Sequence, residues 1–185
     1  MSKKRVPQLP RTWRPDARSQ GELVSEGAHL LAARRPGEAA VPAYTAGMEA
    51  LEIDPNDVAA AINLGGAYIL QGKHDRAIPI LEAAAELEPQ GNAMIWSNLG
   101  AAYLGKLPFS TLESQDRAIQ AYEQALALDP RAPHVHYNLG LIFLERHDVS
   151  WASKHFHGAL ESDPNDRDAH YWLDRLKRDA QMGDR

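Results

Sequence analysis

A proline directly after an acidic residue recurs four times, at Pro55, Pro89, Pro130 and Pro164, with intervals of 34, 41 and 34 residues. A period of that size points to a stacked array of supersecondary units rather than one closed core. Ahead of the last three prolines the same ladder of small and large apolar residues appears. It reads Ala77, Leu81, Ala84; then Ala118, Tyr122, Ala125; then Ala152, Phe156, Ala159. Steps of four and three residues put each triplet on one face of a helix. Upstream of each ladder stands a second signature: Leu64-Gly65-x-x-Tyr68, Leu99-Gly100-x-x-Tyr103 and Leu139-Gly140-x-x-Phe143. The glycines remove a side chain where a first helix must approach a second closely, and the alanines at 77, 118 and 152 are small for the same reason. Each Asp-Pro or Glu-Pro pair ends a second helix, because proline disfavours helix at the residue before it.

These residues resemble the tetratricopeptide repeat (TPR) family, whose helix–turn–helix unit is about 34 residues long. The resemblance spans roughly residues 21–185. It implies an all-α fold, a right-handed superhelix (α-solenoid) of about four helix–turn–helix repeats plus a C-terminal capping helix, preceded by an extended N-terminal arm. The expected division is an arm over 1–20, a degenerate first repeat over 21–57, repeats over 58–91, 92–132 and 133–166, and the capping helix over 167–185. In the first repeat Ala40, Tyr44 and Gly47 fit the ladder from one end and Ala43, Gly47 and Ala50 from the other, with helices expected at 20–34 and 37–53. Pro42 and Pro79 fall inside second helices, where a position one turn in loses few hydrogen bonds.

The interval of 41 holds extra residues at Gln90-Gly91 and within Gly105–Gln115. Ser110-x-x-Glu113 in the latter has the form of a capping box. Two readings stay open for this insertion, an earlier start to the second helix and a longer structureless turn. In the last segment Ala169, Leu173 and Leu176 share one face while their neighbours are charged. That is the pattern of a helix with an apolar side for the last repeat and a wet side outward.

Charge divides the chain. Lys3, Lys4, Arg5, Arg11, Arg14 and Arg18 against Asp16 give the first twenty residues +5; the rest carries 14 basic and 24 acidic side chains, −10. The basic stretch holds Pro7, Pro10 and Pro15 and no helical period, so an extended, polyproline-like arm is expected. An acidic body argues against wrapping nucleic acid on a broad face. The absence of cysteine removes disulfides, thiolate metal sites and cysteine nucleophiles. No run approaches the roughly 18 apolar residues of a membrane span, so no membrane insertion is expected. No secretory pattern follows the basic start, and the expected location is the cytoplasm.

Catalytic and metal motifs are missing. His134 and His136 are two apart, as are His155 and His157; residues two apart on a helix do not face each other. Zinc needs convergent ligands such as His at i and i+4. No phosphate-binding loop or hydrolase elbow occurs. The expectation is a non-enzyme without metal or cofactor.

The resemblance implies that the concave groove, lined by first helices, binds a protein or peptide partner. Asn63, Asn98 and Asn138 each precede a Leu-Gly pair. Stacked helices lie roughly 8–10 Å apart and an extended peptide advances about 3.3 Å per residue, so one such Asn would meet about every third residue. A carboxamide both donates and accepts, and can hold a peptide bond whatever its side chain. The alternative is that each Asn bonds a neighbouring helix or solvent. Ile62, Leu70, Met94, Tyr137, Leu141, Tyr171 and Trp172 are expected beside this ladder. They suit a partner presenting Leu, Phe or Pro. No Lys or Arg lies among them, which argues against a clamp for acidic chaperone tails. The expected function is a non-catalytic adaptor. The alternative is an assembly subunit docked through the arm, where Val6, Leu9 and Trp13 are apolar anchors. Neither the oligomeric state nor the identity of the partner is legible.

Overall fold

The computed structural model describes residues 19–32 and 36–183. Residues 1–18, which carry all the basic residues of the expected arm, lie outside the described residues. So do the side chains of Ala40, Pro42 and Tyr44, on which part of the first-repeat ladder rests.

Among the described residues every regular element is helical. The order is α1 (Gln20–Ala32), α2 (Pro36–Ile53), α3 (Val58–Leu70), α4 (His74–Leu87), α5 (Ala93–Leu104), a 3₁₀ turn at Leu107–Phe109, α6 (Leu112–Leu128), α7 (Val135–Glu145), α8 (Val149–Ser162) and α9 (Arg167–Gly183). Successive helices pack pairwise, and α1 also touches α3 while α3 touches α5. Over the first three repeats, first helices therefore stack on first helices, as in a solenoid.

Local chemistry sets the helix starts. Ser19 and Glu22 form a reciprocal capping box at α1. The Ser19 amide donates to Glu22 Oε2 (2.7 Å) and the Glu22 amide to Ser19 Oγ (3.4 Å). Asp57 Oδ1 accepts from the Ala60 amide at α3 (2.9 Å), Asn92 Oδ1 from Met94 at α5 (3.0 Å) and Asp148 Oδ1 from Trp151 at α8 (3.1 Å). Each satisfies an amide that the first helical turn leaves without a partner. At the turn within the second repeat the chain reverses through Gly72, at φ 70°. In the fourth repeat the same slot holds His147, at φ 59°. Lys73 N–H then reaches Tyr68 C=O, and Asp148 N–H reaches Phe143 C=O, both at 2.9 Å.

The Leu-Gly signature does what its spacing suggests. A methyl at Gly65 would lie 2.6 Å from Leu81, at Gly100 2.5 Å from the Tyr122 ring, and at Gly140 2.7 Å from Phe156. Real Cβ contacts are not that short, so only glycine lets each pair of helices come this close. Leu81, Tyr122 and Phe156 are fully buried by that approach, with Ala77, Ala118 and Ala152 beside them.

Of the two readings that the sequence left open for the insertion, the earlier start of the second helix is the one present. α6 is 17 residues long against 14 for α4 and α8, and its extra turn lies at the start. Ahead of it the connection folds as the 3₁₀ turn rather than as structureless chain. The cap is Thr111, not Ser110: Thr111 Oγ1 accepts from the Ser114 amide at 3.1 Å. Ser110 Oγ instead closes the 3₁₀ turn by donating to Leu107 C=O at 2.8 Å. Arg146, at the end of α7, fastens the long start of α6. It donates to Gln115 Oε1 (2.7 Å), Asp116 Oδ1 (2.7 Å) and Leu112 C=O (3.3 Å).

Candidate functional site

On a helix each residue advances by about 100°. Asn63, Asn98 and Asn138 each stand two residues before the glycine that faces a second helix, so they point about 160° away from it. That side of a first helix meets the preceding repeat and the concave surface. Here the three asparagines diverge. Asn63 is buried and donates from Nδ2 to the Val24 carbonyl of α1, at 2.9 Å. Asn138 is half-buried and donates to the Tyr122 hydroxyl of α6, at 3.0 Å. Tyr122 is otherwise enclosed, and burial pushes its phenol pKa up. Asn98 is half-buried and makes no side-chain hydrogen bond among the described residues. The repeat before it carries Leu81 where the repeat before Asn138 carries Tyr122, so no hydroxyl awaits its amide.

The apolar candidates also separate. Ile62 is only 8% exposed and belongs to the core around Leu64, Leu81 and Leu99. Leu141 and Tyr137 are half-buried against the α8–α9 cluster, and the Tyr137 ring lies 5.9 Å from Phe156. Trp172 of α9 stacks on Phe156 as well, nearly parallel to it at 6.2 Å. Tyr171 meets Trp172 edge-on at 5.4 Å and remains 52% exposed. Leu70 is 38% and Met94 58% exposed. Leu70 lies seven residues from Asn63, about 20° round the helix, and Met94 lies four from Asn98, about 40°. Leu70 and Met94 are therefore exposed on the asparagine side of α3 and α5, and on α5 that side also carries the unpaired Asn98 carboxamide.

Two groupings escape a reading of the sequence. His136 of α7 and His155 of α8 meet across the helix pair with Nδ1 to Nδ1 at 3.1 Å. His155 forms an aromatic triangle with Phe143, parallel to it at 5.4 Å, and Trp151 at 5.9 Å, those two being 5.6 Å from each other. Burial lowers both rings, that of His155 to about 4, with the charges of His136 and Lys154 acting in the same direction. Spacing along one helix cannot reveal this pair; only the register of α7 against α8 does. No group of three or more metal-ligating side chains occurs among the described residues. The second grouping gathers Lys73, Arg76, Lys106 and Arg117 round one cavity at an edge of the array.

No helix among the described residues is long and apolar enough to cross a membrane. The family model described as "Tetratricopeptide repeat" matches residues 30–104, and one described as "TPR repeat" matches residues 112–146. The chain is 32% identical over 111 residues to the small glutamine-rich tetratricopeptide repeat-containing protein 2 of Mycosarcoma maydis, covering 59% of this chain and 28% of that protein. The curated relatives it matches are thus much longer, the chain spanning 14–28% of their length. The crystal structure of the APC/C hetero-tetramer Cut9–Hcn1 superposes with a TM-score of 0.70 at 23% identity, covering 85% of this chain and 30% of that one. A thermophilic TPR protein of Thermus thermophilus superposes at 0.62 and 20% identity, covering 85% and 98%. With repeat signatures, helix pairing and these matches in agreement over more than half of its residues, the chain belongs to the tetratricopeptide repeat family.

Proposed function

We propose that this chain is a non-catalytic adaptor whose concave face holds an extended or helical segment of a partner protein. Members of the family generally mediate protein–protein interaction and complex assembly. The observation that carries the finer reading is the unpaired Asn98 carboxamide flanked by exposed Met94 and, one repeat back, exposed Leu70. A carboxamide left beside apolar surface suits a ligand that brings a peptide backbone to the amide and a Leu or Phe side chain to its neighbours. Asn138 adds its acceptor oxygen, and Tyr171 and Trp172 supply aromatic surface two helices on. Asn63 contributes to packing more than to binding, since its amide is enclosed.

The test is quantitative capture of partners with the wild type and with a variant carrying Asn98→Ala, Met94→Ala and Tyr171→Ala. Specific partners are expected to disappear from the variant while its helical circular dichroism and thermal midpoint stay put. An identical partner set from both proteins would overturn the groove reading. The same captures with residues 2–19 deleted examine the assembly-subunit alternative, in which partners depend on the arm instead.

A further inference from the structure

The turns inside the second and third repeats lie along one edge of the array, and the insertion turns that edge into a cavity of about 550 Å³. Its walls come from three places: the start of α4, the end of α5, and the 3₁₀ turn with the start of α6. Four cations line it, Lys73, Arg76, Lys106 and Arg117, against one carboxylate, Asp75. This local excess stands on a body that is otherwise net acidic. Among the described residues only Arg117 of these four has an ionic partner, Glu82 at 3.5 Å, and both side chains are about half exposed. Lys73, Arg76 and Lys106 form no ion pair there; Lys73 Nζ donates to the neutral Gln71 side chain at 2.6 Å. Natural surfaces intersperse both signs of charge, so three cations without counter-ions round one concavity form an electrostatic feature that attracts negative charge.

Two further observations converge on the cavity. α4 begins without a side-chain cap; the Arg76 amide closes onto the Lys73 carbonyl at 3.0 Å, and the His74 and Asp75 amides before it have no partner within the helix. His74 Nδ1, within the lining, is shielded from solvent and has no hydrogen-bond partner. The rim is apolar as well: Phe109, at the tip of the insertion, is 84% exposed. The Arg146 bonds to Leu112, Gln115 and Asp116 hold the following turn in place, so the insertion is presented on a braced support. Gly105 and Lys106 stand at the far end of α5 from Met94, which separates this cavity from the concave ladder.

We propose that this edge cavity takes an acidic segment of a partner protein, carboxylate side chains settling among Lys73, Arg76, Lys106 and Arg117 while a neighbouring apolar side chain covers Phe109. The chain's own N-terminal stretch is the wrong occupant, being +5 itself. A nucleic acid or an anionic membrane fits less well, because an extended polyanion would run beyond the cavity onto the acidic body, whereas a short acidic segment confines its charge to the cavity.

The experiment is fluorescence anisotropy with the full chain and an end-blocked, labelled peptide of composition Glu-Glu-Asp-Glu-Leu-Phe. Its counterpart has Gln and Asn in place of every carboxylate. The acidic peptide is expected to bind at least about tenfold more tightly than the neutral one, and the difference is expected to shrink at high salt. Arg76→Glu with Lys106→Glu should abolish the preference, and Phe109→Ala should weaken binding several-fold. Asn98→Ala should leave it unchanged, so failure here and failure of the groove reading are distinguishable. Should the charge-reversed protein lose its helical spectrum, Arg76→Gln with Lys106→Gln replaces it. The proposal is overturned by absent binding, by equal affinity for the neutral peptide, or by charge-reversed protein that binds as wild type does. It is equally overturned if a single-stranded oligonucleotide or phosphatidylserine vesicles bind more tightly through the same residues. Self-association lost with the same substitutions would assign the cavity to a second copy instead.

Discussion

At the scale of single residues, three asparagines in equivalent positions do three different jobs, and the difference is set by what stands opposite. Asn138 satisfies a phenol that is completely enclosed. Removing its amide leaves the Tyr122 hydroxyl buried without a partner, and an unsatisfied buried polar group costs about 1–3 kcal/mol. Asn98 has no such duty, and alanine is the better helix former by a few tenths of a kcal/mol, up to about 0.7. Asn138→Ala is therefore expected to lower stability by about 1–3 kcal/mol, and Asn98→Ala to leave it unchanged or slightly raise it. Urea unfolding followed by circular dichroism measures both, and equal losses would contradict this division of labour. The positions of the asparagines were legible from the sequence, because each precedes a Leu-Gly pair. Their partners were not. Whether an amide faces a hydroxyl depends on Tyr122 against Leu81, residues that the repeat pattern treats as interchangeable large side chains. The burial of Ile62 was hidden for a related reason: a hydrophobic residue on a first helix serves the core and the groove equally well as far as periodicity can tell.

At the scale of elements, helix starts and pairings follow from patterns visible in the sequence, but contacts between elements depend on register. The insertion shows the limit. Ser110-x-x-Glu113 fits a capping pattern, yet Thr111 one residue later is the cap. Pro108 favours the tight turn over Leu107–Phe109, and that turn claims Ser110 for itself. The His136–His155 contact between α7 and α8 is a second case, and it carries a pH dependence. Two Nδ1 atoms at 3.1 Å allow one to donate and the other to accept; protonating the pair turns two N–H groups towards each other. His155 titrates near 4 in the folded protein and at about 6.5 in the unfolded chain. Between these values the unfolded state binds more protons, so stability rises with pH across that window and is lost as pH falls through it. The thermal midpoint of the wild type is expected to drop between about pH 7 and about pH 5 by more than that of His155→Phe, since phenylalanine keeps the stacking on Phe143 without a proton to gain. Parallel declines of the two proteins would show that the contact contributes nothing to acid sensitivity.

At the scale of the whole molecule, the repeat architecture makes stability a chain of neighbouring interfaces rather than a single core. The core divides accordingly into clusters: one over α3 to α6, one over α5 to α7, one over α7 to α9, and a smaller one at α1 to α3. α9, the last described helix, packs chiefly on α8, with Tyr137 and Leu141 of α7 against the same cluster. It lays Ala169 and Leu173 on α8 and stacks Trp172 on Phe156, while its charged residues face outward. Phe156 is the large residue that the Gly140 notch admits, and it stays dry only because α7 covers one side of it and α9 another. Removing residues 167–185 would wet Phe156, Ala152 and Ala159 together, with an apolar strip left open on α8. Two consequences are expected. The α7–α8 pair should melt earlier than the rest of the array, seen as faster amide exchange in those helices than in α3 to α6. The opened strip should seek another cover, seen as binding of a hydrophobic dye and as self-association in light scattering. Leu173→Ala, a smaller insult to the same interface, is expected to cost about 2–5 kcal/mol without self-association, because the helix still shields the strip. A truncated protein that stays monomeric, excludes dye and keeps wild-type exchange in α7 and α8 would show that the fourth repeat is stable on its own interfaces. α9 would then be free to serve the concave surface through Tyr171 and Trp172 rather than the core.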